Sequence, residues 1–482
     1  MSSVVRTGMH KVSCAVAAVA LALALTPVVA FASPTSTTDV ADSTVTITDL
    51  LAGDTVEAYR IADADIDAAN NLTYTMASDL PSDYDTIDEI AAVASDGTSF
   101  VQGSAMQNAA SKIAKAFADA STAPAATATA TGTSANLTLG SGYYLVRVTS
   151  TSGETRVYQN MVIDVSPKAN TNGTYNPHDA VNVAVKKTDV TVKKTVGSEY
   201  KESTDKYSVG DTVPFKIETA IPNYPADSKD ATFKIGDTPT AGLEIDTTSI
   251  MINGATAVSG ADYTLTASAT GYTIEFSKAY VLAHPGESIT VTYNAKLTSD
   301  AFSHSADDVT GNTATVTFNP NPYNSTTVIP SDKTKVKTYG YVFKKVDPDG
   351  NALPGATFTL KVTNSDGSVT EIESTSDENG YVYFSGLSAG TYTISETVVP
   401  AGYTKVADQT FTLSAAVCTA DNPVTSEVED NYLVSSTDVV DGKQPVLPLT
   451  GDVGTFILVA AGVGLLACAF VTIARFRKQK QS

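Results

Sequence analysis

Two short strand-like runs place a lysine where an apolar side chain is expected. In Asp189-Val190-Thr191-Val192-Lys193-Lys194, alternation puts Lys194 on the face of Val190 and Val192. In Tyr341-Val342-Phe343-Lys344-Lys345, it puts Lys345 with Tyr341 and Phe343. A lone lysine of this kind usually bends its stem out to water. One that stays inside must be paired or lose its charge. Partners of the right type lie downstream. Asp237 falls in phase with Phe233 and Ile235, and Asn312 shares a face with Ala314, Val316 and Phe318. In an apolar site the amine pKa falls and the carboxyl pKa rises. A neutral Lys194 amine can then attack the Asn312 carboxamide. Protonated Asp237 polarises that carbonyl and moves the proton, and ammonia leaves. The product is an intramolecular isopeptide bond, made once and not turned over. Further along, Glu396 points inward with Tyr392 and Ile394.

Such chemistry needs rigid strands, and the chain between its two ends reads as all-β. Thr, Val, Ile and Tyr recur in short alternating runs punctuated by Gly, Asp, Asn and Pro, the pattern of tandem immunoglobulin-like β-sandwich domains. One helix is expected, from Ala105 to Ala120, and the Ala/Thr-rich segment 119–134 reads as a loop. The expected division is 33–185, 186–337 and 338–435, with a linker over 436–446. Turn residues before a fresh strand mark the boundary near 186. Asn319-Pro320-Asn321-Pro322 and the polar run behind it mark the one near 337.

The ends are addresses. Arg6, His10 and Lys11 precede an apolar run from Val12 to Val29, and Ala30-Phe31-Ala32 follows. This is the pattern of a secretory signal peptide over 1–32, cut between Ala32 and Ser33. At the other end, Leu447-Pro448-Leu449-Thr450-Gly451 is followed by an uncharged stretch to Ala474 and by Arg475-Phe476-Arg477-Lys478. About 20 apolar residues span roughly 30 Å, the hydrocarbon thickness, and a basic tail stays cytoplasmic. In this order, pentapeptide, transmembrane helix and basic tail (447–482) resemble a sortase sorting signal. The resemblance implies that a sortase cysteine attacks the Thr450 carbonyl, releases Gly451 and passes Thr450 to an amine.

Other stretches resemble the backbone subunits of sortase-assembled pili of Gram-positive bacteria. Thr188 to Gly197, Phe233-Lys234-Ile235-Gly236-Asp237 and Gly311-Asn312-Thr313-Ala314 are similar to that family's middle isopeptide domain. Lys345-Val346-Asp347 and Leu353-Pro354-Gly355-Ala356-Thr357-Phe358 resemble a collagen-adhesin B-type domain. Tyr392-Thr393-Ile394-Ser395-Glu396-Thr397 and Pro400-Ala401-Gly402-Tyr403 resemble the pilin E-box. By this resemblance Lys345 is a nucleophile, Glu396 its catalytic acid, and Asn431, in the last strand, the acceptor. Alternation favours its neighbour Asp430, which is in phase with Val428, and both stay open. Val157 to Lys168 resembles the pilin motif, with Ser166 where a tyrosine is usual. That implies Lys168 as the amine that receives Thr450 of the next subunit; Lys186, Lys187 and Lys296 are alternatives.

The charge is −21 over 482 residues, and the part between the two ends is more acidic still, because residues 1–32 and 451–482 hold six Lys/Arg and one acid. Such a surface repels nucleic acid. Of three cysteines, only Cys418 lies between the two addresses, so no internal disulfide can form there and isopeptide bonds would take that place. Neither the histidines nor the acids show metal-ligand spacing, and no nucleophile motif stands out. The expectation is a structural shaft subunit, not an enzyme, with no cofactor and no metal. It is secreted, briefly membrane-anchored, and then held covalently in the cell wall. Its partners would be identical subunits, pilus-specific and housekeeping sortases, tip and base pilins, peptidoglycan and a host surface ligand. The alternative is an ancillary pilin or a monomeric wall-anchored adhesin, which needs the sorting signal but no acceptor lysine.

Overall fold

The computed structural model describes residues 41–94, 104–150, 153–178, 180–301, 310–364, 366–425 and 430–445. The expected signal peptide with Ala32 and Ser33, and the expected sorting signal with Leu447, Pro448, Leu449, Thr450 and Gly451, lie outside those residues. Among the described residues no helix is long and apolar enough to cross a membrane.

The first domain pairs two sheets and adds helices to one of them. Strands β1 (Ser43–Thr48), β2 (Thr55–Ile66), β3 (Ser134–Leu139), β4 (Gly142–Thr149), β5 (Met161–Asp164) and β6 (Val181–Ala184) form its frame. One sheet runs β6-β1-β3, and β2-β4-β5 are consecutive in the other. Strand β2 is buried on both faces. Val56 and Ala58 meet Val45, Ile47 and Leu137 between the sheets, while Tyr59 and Ile61 pack under the helices α1 (Ile87–Ala94) and α2 (Ala105–Ala120). Helix α2 covers the expected span. Ser104 caps its start, and Ala110, Ile113, Ala114 and Phe117 form the buried stripe that 3.6-residue periodicity requires. The expected loop over 119–134 contains a strand instead, Ala126–Thr129, paired with β2. Its alanines are half-buried and its threonines exposed, a period-2 pattern that alanine's weak strand preference disguises.

The middle domain is a two-sheet sandwich. Strands β7 (Val192–Val196), β8 (Thr212–Ala220), β9 (Phe233–Pro239), β10 (Leu243–Ile252), β11 (Gly271–Phe276), β12 (Ser288–Leu297), β13 (Gly311–Phe318) and β14 (Ser331–Val336) build it. One sheet has the order β7-β8-β12-β10 and the other β14-β13-β9-β11, with short strands added at the edges. The boundary expected at 186 falls beside a strand that belongs to the first domain, because Lys187–Asp189 pairs antiparallel with Arg156–Tyr158.

The third domain contains β15 (Tyr339–Val346), β16 (Thr357–Thr363), β17 (Tyr381–Leu387), β18 (Gly390–Val398), β19 (Gln409–Leu413), β20 (Tyr432–Val434) and β21 (Val439–Val440). Strand β15 pairs with β17 on one side, and with β20 and β21, both parallel, along the other. The facing sheet has β16-β18-β19 in succession. Gly442–Lys443 pairs with Tyr403–Thr404. Residues 439–443, inside the segment expected as a linker over 436–446, therefore supply the closing strands of this domain.

Specific contacts join the domains. The Arg147 guanidinium lies 4.6 Å from the Tyr323 ring centroid, and Asn160 donates to Asp227. Between the second and third domains, Val209 N donates to Gly386 O, Ala389 N to Asp205 O, and the Tyr339 hydroxyl to Asp205.

Candidate cross-link sites

Alternation along β7 turns Lys194 inward, and the side chain is 0 % exposed. Asp237, on β9, and Asn312, on β13, reach it from the facing sheet, and both are buried. The Lys194 ammonium contacts the Asp237 carboxylate directly. A fourth residue completes the group. Tyr293, on β12, stands between all three: its hydroxyl accepts from Lys194 Nζ at 2.6 Å and from Asn312 Nδ2 at 2.8 Å, and donates to Asp237 Oδ2 at 2.9 Å. Asp237 Oδ1 and Asn312 Oδ1 are buried with no hydrogen-bond partner. The lysine lies over Phe215 and Tyr293, which stack on each other at 5.4 Å. Burial pushes the Lys194 pKa down, and the Asp237 charge only partly offsets this. Burial likewise pushes the Asp237 carboxyl up against the pull of Lys194. Both shifts favour the neutral amine and the neutral acid, the pair that amide exchange requires. Sequence reasoning missed Tyr293. Its signal was available, since it shares a face with Ile289, Val291, Ala295 and Leu297.

The third domain builds its site differently. Lys345, near the end of β15, is also 0 % exposed. Glu396, on β18 in the facing sheet, brings Oε1 to 3.9 Å from Nζ, and its other oxygen accepts from Val406 N at 2.9 Å. The expected acceptors are elsewhere. Tyr432 pairs in parallel with Gly340, so Asn431 sits by the start of β15, where its Nδ2 donates to Thr338 O. That is six residues from Lys345, about 20 Å along a strand. Asp430 is exposed, at φ 49°. The group in contact with Lys345 Nζ is the Asp441 carboxylate. Lys345 pairs with Val439, and Asp441, two residues on, returns to the same face, fully buried. Burial pushes the Glu396 carboxyl up. The Val406 amide and Lys345 oppose the shift, and nearby Asp441 adds to it. The sequence signal for Asp441 was its phase with Val439, hidden because the segment read as a linker.

Gly380 guards this site's backbone. Its φ of +82° is in the left-handed region, and its carbonyl accepts from Lys345 N. A Cβ there would stand 2.4 Å from Lys345 O. Among the described residues, Lys194 and Lys345 are the only buried lysines, and the first domain has no equivalent site.

The first domain instead exposes Lys168, in a two-residue strand just beyond β5. Its Nζ donates to Asp164 Oδ2 at 2.7 Å. Burial pushes the Asp164 carboxyl up, but hydrogen bonds from Lys168 and Ser166 outweigh it and hold the pKa down. Of the other lysines considered, Lys187 is tied to Asp49 and Lys296 lies exposed on β12. No group of three or more metal-ligating side chains occurs among the described residues.

Comparison with known proteins agrees with this architecture. Residues 340–430 match the family model of the SpaA prealbumin-like fold domain. A fimbrial subunit type 2 of Actinomyces naeslundii is 26 % identical over 397 residues, 70 % of each chain. The chain is thus similar to a fimbrial subunit along most of its length. Its fold is that of Gram-positive backbone pilins. The T6 backbone pilin of Streptococcus pyogenes, a modular three-domain protein, superposes with TM-score 0.61 at 16 % identity, over 85 % of this chain and 100 % of that one. The full-length major pilin SpaD of Corynebacterium diphtheriae gives 0.50 at 17 % identity, over 84 % and 98 %.

Proposed function

We propose that this protein is the shaft subunit of a sortase-assembled covalent pilus on a Gram-positive surface, its middle and third domains each locked by one internal isopeptide bond. The observation that carries the reading is the pair of buried lysines, each in contact with a carboxyl group between two sheets of one domain. In the middle domain Lys194 attacks Asn312, Asp237 acts as the acid, and ammonia leaves. In the third domain Lys345 attacks Asp441. Glu396 keeps a proton to lend to the acceptor carboxyl, and water leaves.

Exposed Lys168 is the acceptor amine for Thr450 of the next subunit, an assignment supported by its position after β5 and its resemblance to the pilin motif. Load applied along such a polymer passes through each subunit between Lys168 and Thr450. Domains held by roughly 5–15 kcal/mol open under sustained force, whereas a covalent tie between early and late strands limits extension. Final attachment to peptidoglycan and the use of pilus-specific and housekeeping sortases belong to the same reading.

The test is co-expression with a pilus sortase. Wild-type chain should give a ladder of covalent multimers on denaturing gels, and Lys168→Ala should give monomer alone. Monomer from both chains would favour a wall-anchored adhesin.

A further inference from the structure

Amide exchange in the middle domain poses a proton problem. The attacking nitrogen must lose a proton and the leaving nitrogen must gain one, because an amide anion is a far poorer leaving group than ammonia. Asp237 contacts the attacking nitrogen, but the hydrogen bond of Asn312 Nδ2 goes to the Tyr293 hydroxyl. That one oxygen is 2.6 Å from Nζ and 2.8 Å from Nδ2. It bridges the nitrogen that bonds and the nitrogen that departs.

We propose that Tyr293 is a catalytic residue of the middle domain, relaying a proton from Lys194 Nζ to Asn312 Nδ2. This rests on the cross-link reading above. Lys194 first passes one proton to Asp237, leaving a neutral amine and a neutral acid. The amine lone pair attacks Asn312 Cγ, and the carbonyl electron pair moves to Oδ1. Attack makes Nδ2 a basic amine, and with Asp237 now protonated the Tyr293 hydroxyl turns from Asp237 Oδ2 toward Nδ2. Its oxygen then takes a proton from Nζ while its own hydroxyl proton goes to Nδ2. The Cγ–Nδ2 bond then breaks, the carbonyl re-forms, and ammonia departs. Tyrosine ends as it began, so atoms and charge balance without a further reagent.

The surroundings suit a relay rather than a base. Burial, with the nearby Asp237 carboxylate, holds the Tyr293 hydroxyl well above its ordinary pKa, so it stays protonated until a proton arrives. Its ring is fixed by stacking on Phe215 and by an edge contact with Tyr272 at 5.2 Å. Removing the hydroxyl therefore leaves the packing in place. Among the described residues of the third domain no such hydroxyl bonds to Lys345, and its acceptor releases water, whose oxygen leaves far more readily.

The experiment follows bond formation in the mature chain by intact mass after a pulse of expression. Wild type should lose about 17 Da for the middle domain and about 18 Da for the third. Tyr293→Phe should slow the 17 Da loss by about 100-fold or more, the usual worth of a positioned proton carrier, and leave the 18 Da loss unchanged. Two controls separate chemistry from structure. In a Lys194→Ala background, where no bond forms, adding Tyr293→Phe should shift the melting temperature by only a few degrees. With Asn312→Asp, whose leaving group is water, the penalty for Tyr293→Phe should shrink. A 17 Da loss at the wild-type rate in Tyr293→Phe overturns the relay while sparing the cross-link. A wild-type chain with no deficit overturns both.

Discussion

The middle and third domains bury the same kind of lysine but join it to different places. In the middle domain Lys194 sits on one sheet and Asn312 on the facing sheet, so the proposed bond would staple the two layers together. In the third domain Lys345 and Asp441 lie on one side of the core, Asp441 directly after the strand that pairs in parallel with β15, and only Glu396 comes from across the core. The proposed leaving groups differ as well. Asn312 has a tyrosine hydroxyl and a carboxyl beside it, whereas Asp441 has the Glu396 carboxyl near it across the same lysine. The lesson is that the cost of burying a lysine does not prescribe a topology. It requires a neutralising acid, and the sheet architecture decides where the electrophile can stand.

The largest effect expected from breaking this comparison is loss of each bond by lysine removal. Lys194→Ala should abolish the 17 Da deficit and Lys345→Ala the 18 Da deficit, each leaving the other intact. Each bond closes a loop of about 100 residues, so by analogy with disulfides each variant should lose about 4–5 kcal/mol, read from thermal or denaturant unfolding.

The acceptor assignments give the next test. Asp441→Ala should eliminate the third-domain deficit, and Asp441→Asn should change it from about 18 to about 17 Da. Asn431→Ala should leave it untouched. Persistence of the bond in Asp441→Ala would place the acceptor elsewhere. Smaller again is Gly380→Ala, which meets Lys345 O and strains a left-handed backbone. A loss of about 1–3 kcal/mol is expected, with slower bond formation in the third domain only.

The smallest effect is a pH slope. In Lys194→Ala the Asp237 carboxyl is buried without its partner, so its folded pKa lies above the unfolded value near 3.8. The native state then binds more protons than the unfolded state. Stability should fall as pH rises above about 4 and level off beyond the folded pKa. Adding Asp237→Asn should flatten the curve, and a slope that survives would assign it to another group.

Much of this was legible in the chain. Period-2 alternation by itself turns Lys194, Asp237, Asn312, Lys345 and Glu396 inward, and each is buried. Helix α2 was equally plain as an Ala-rich run from Ala105 to Ala120. Alternation reports which face a residue occupies, but not its height along the partner strand. Asn431 is buried and in the last third of the domain, as the resemblance required, yet parallel pairing of Tyr432 with Gly340 leaves it at the wrong end of β15. Tyr293 had the right phase but looked like ordinary core.

What the sequence determined by itself is the set of strands, their inward faces and the identity of the groups that must be neutralised there, because these follow from local geometry and from the cost of a buried charge. What only the tertiary structure decided is which of those groups meet. Strand register and the facing of two sheets are set by contacts between segments about 100 residues apart. A shift of about 3.3 Å per residue along a strand is enough to exchange a reacting pair for two residues that never touch.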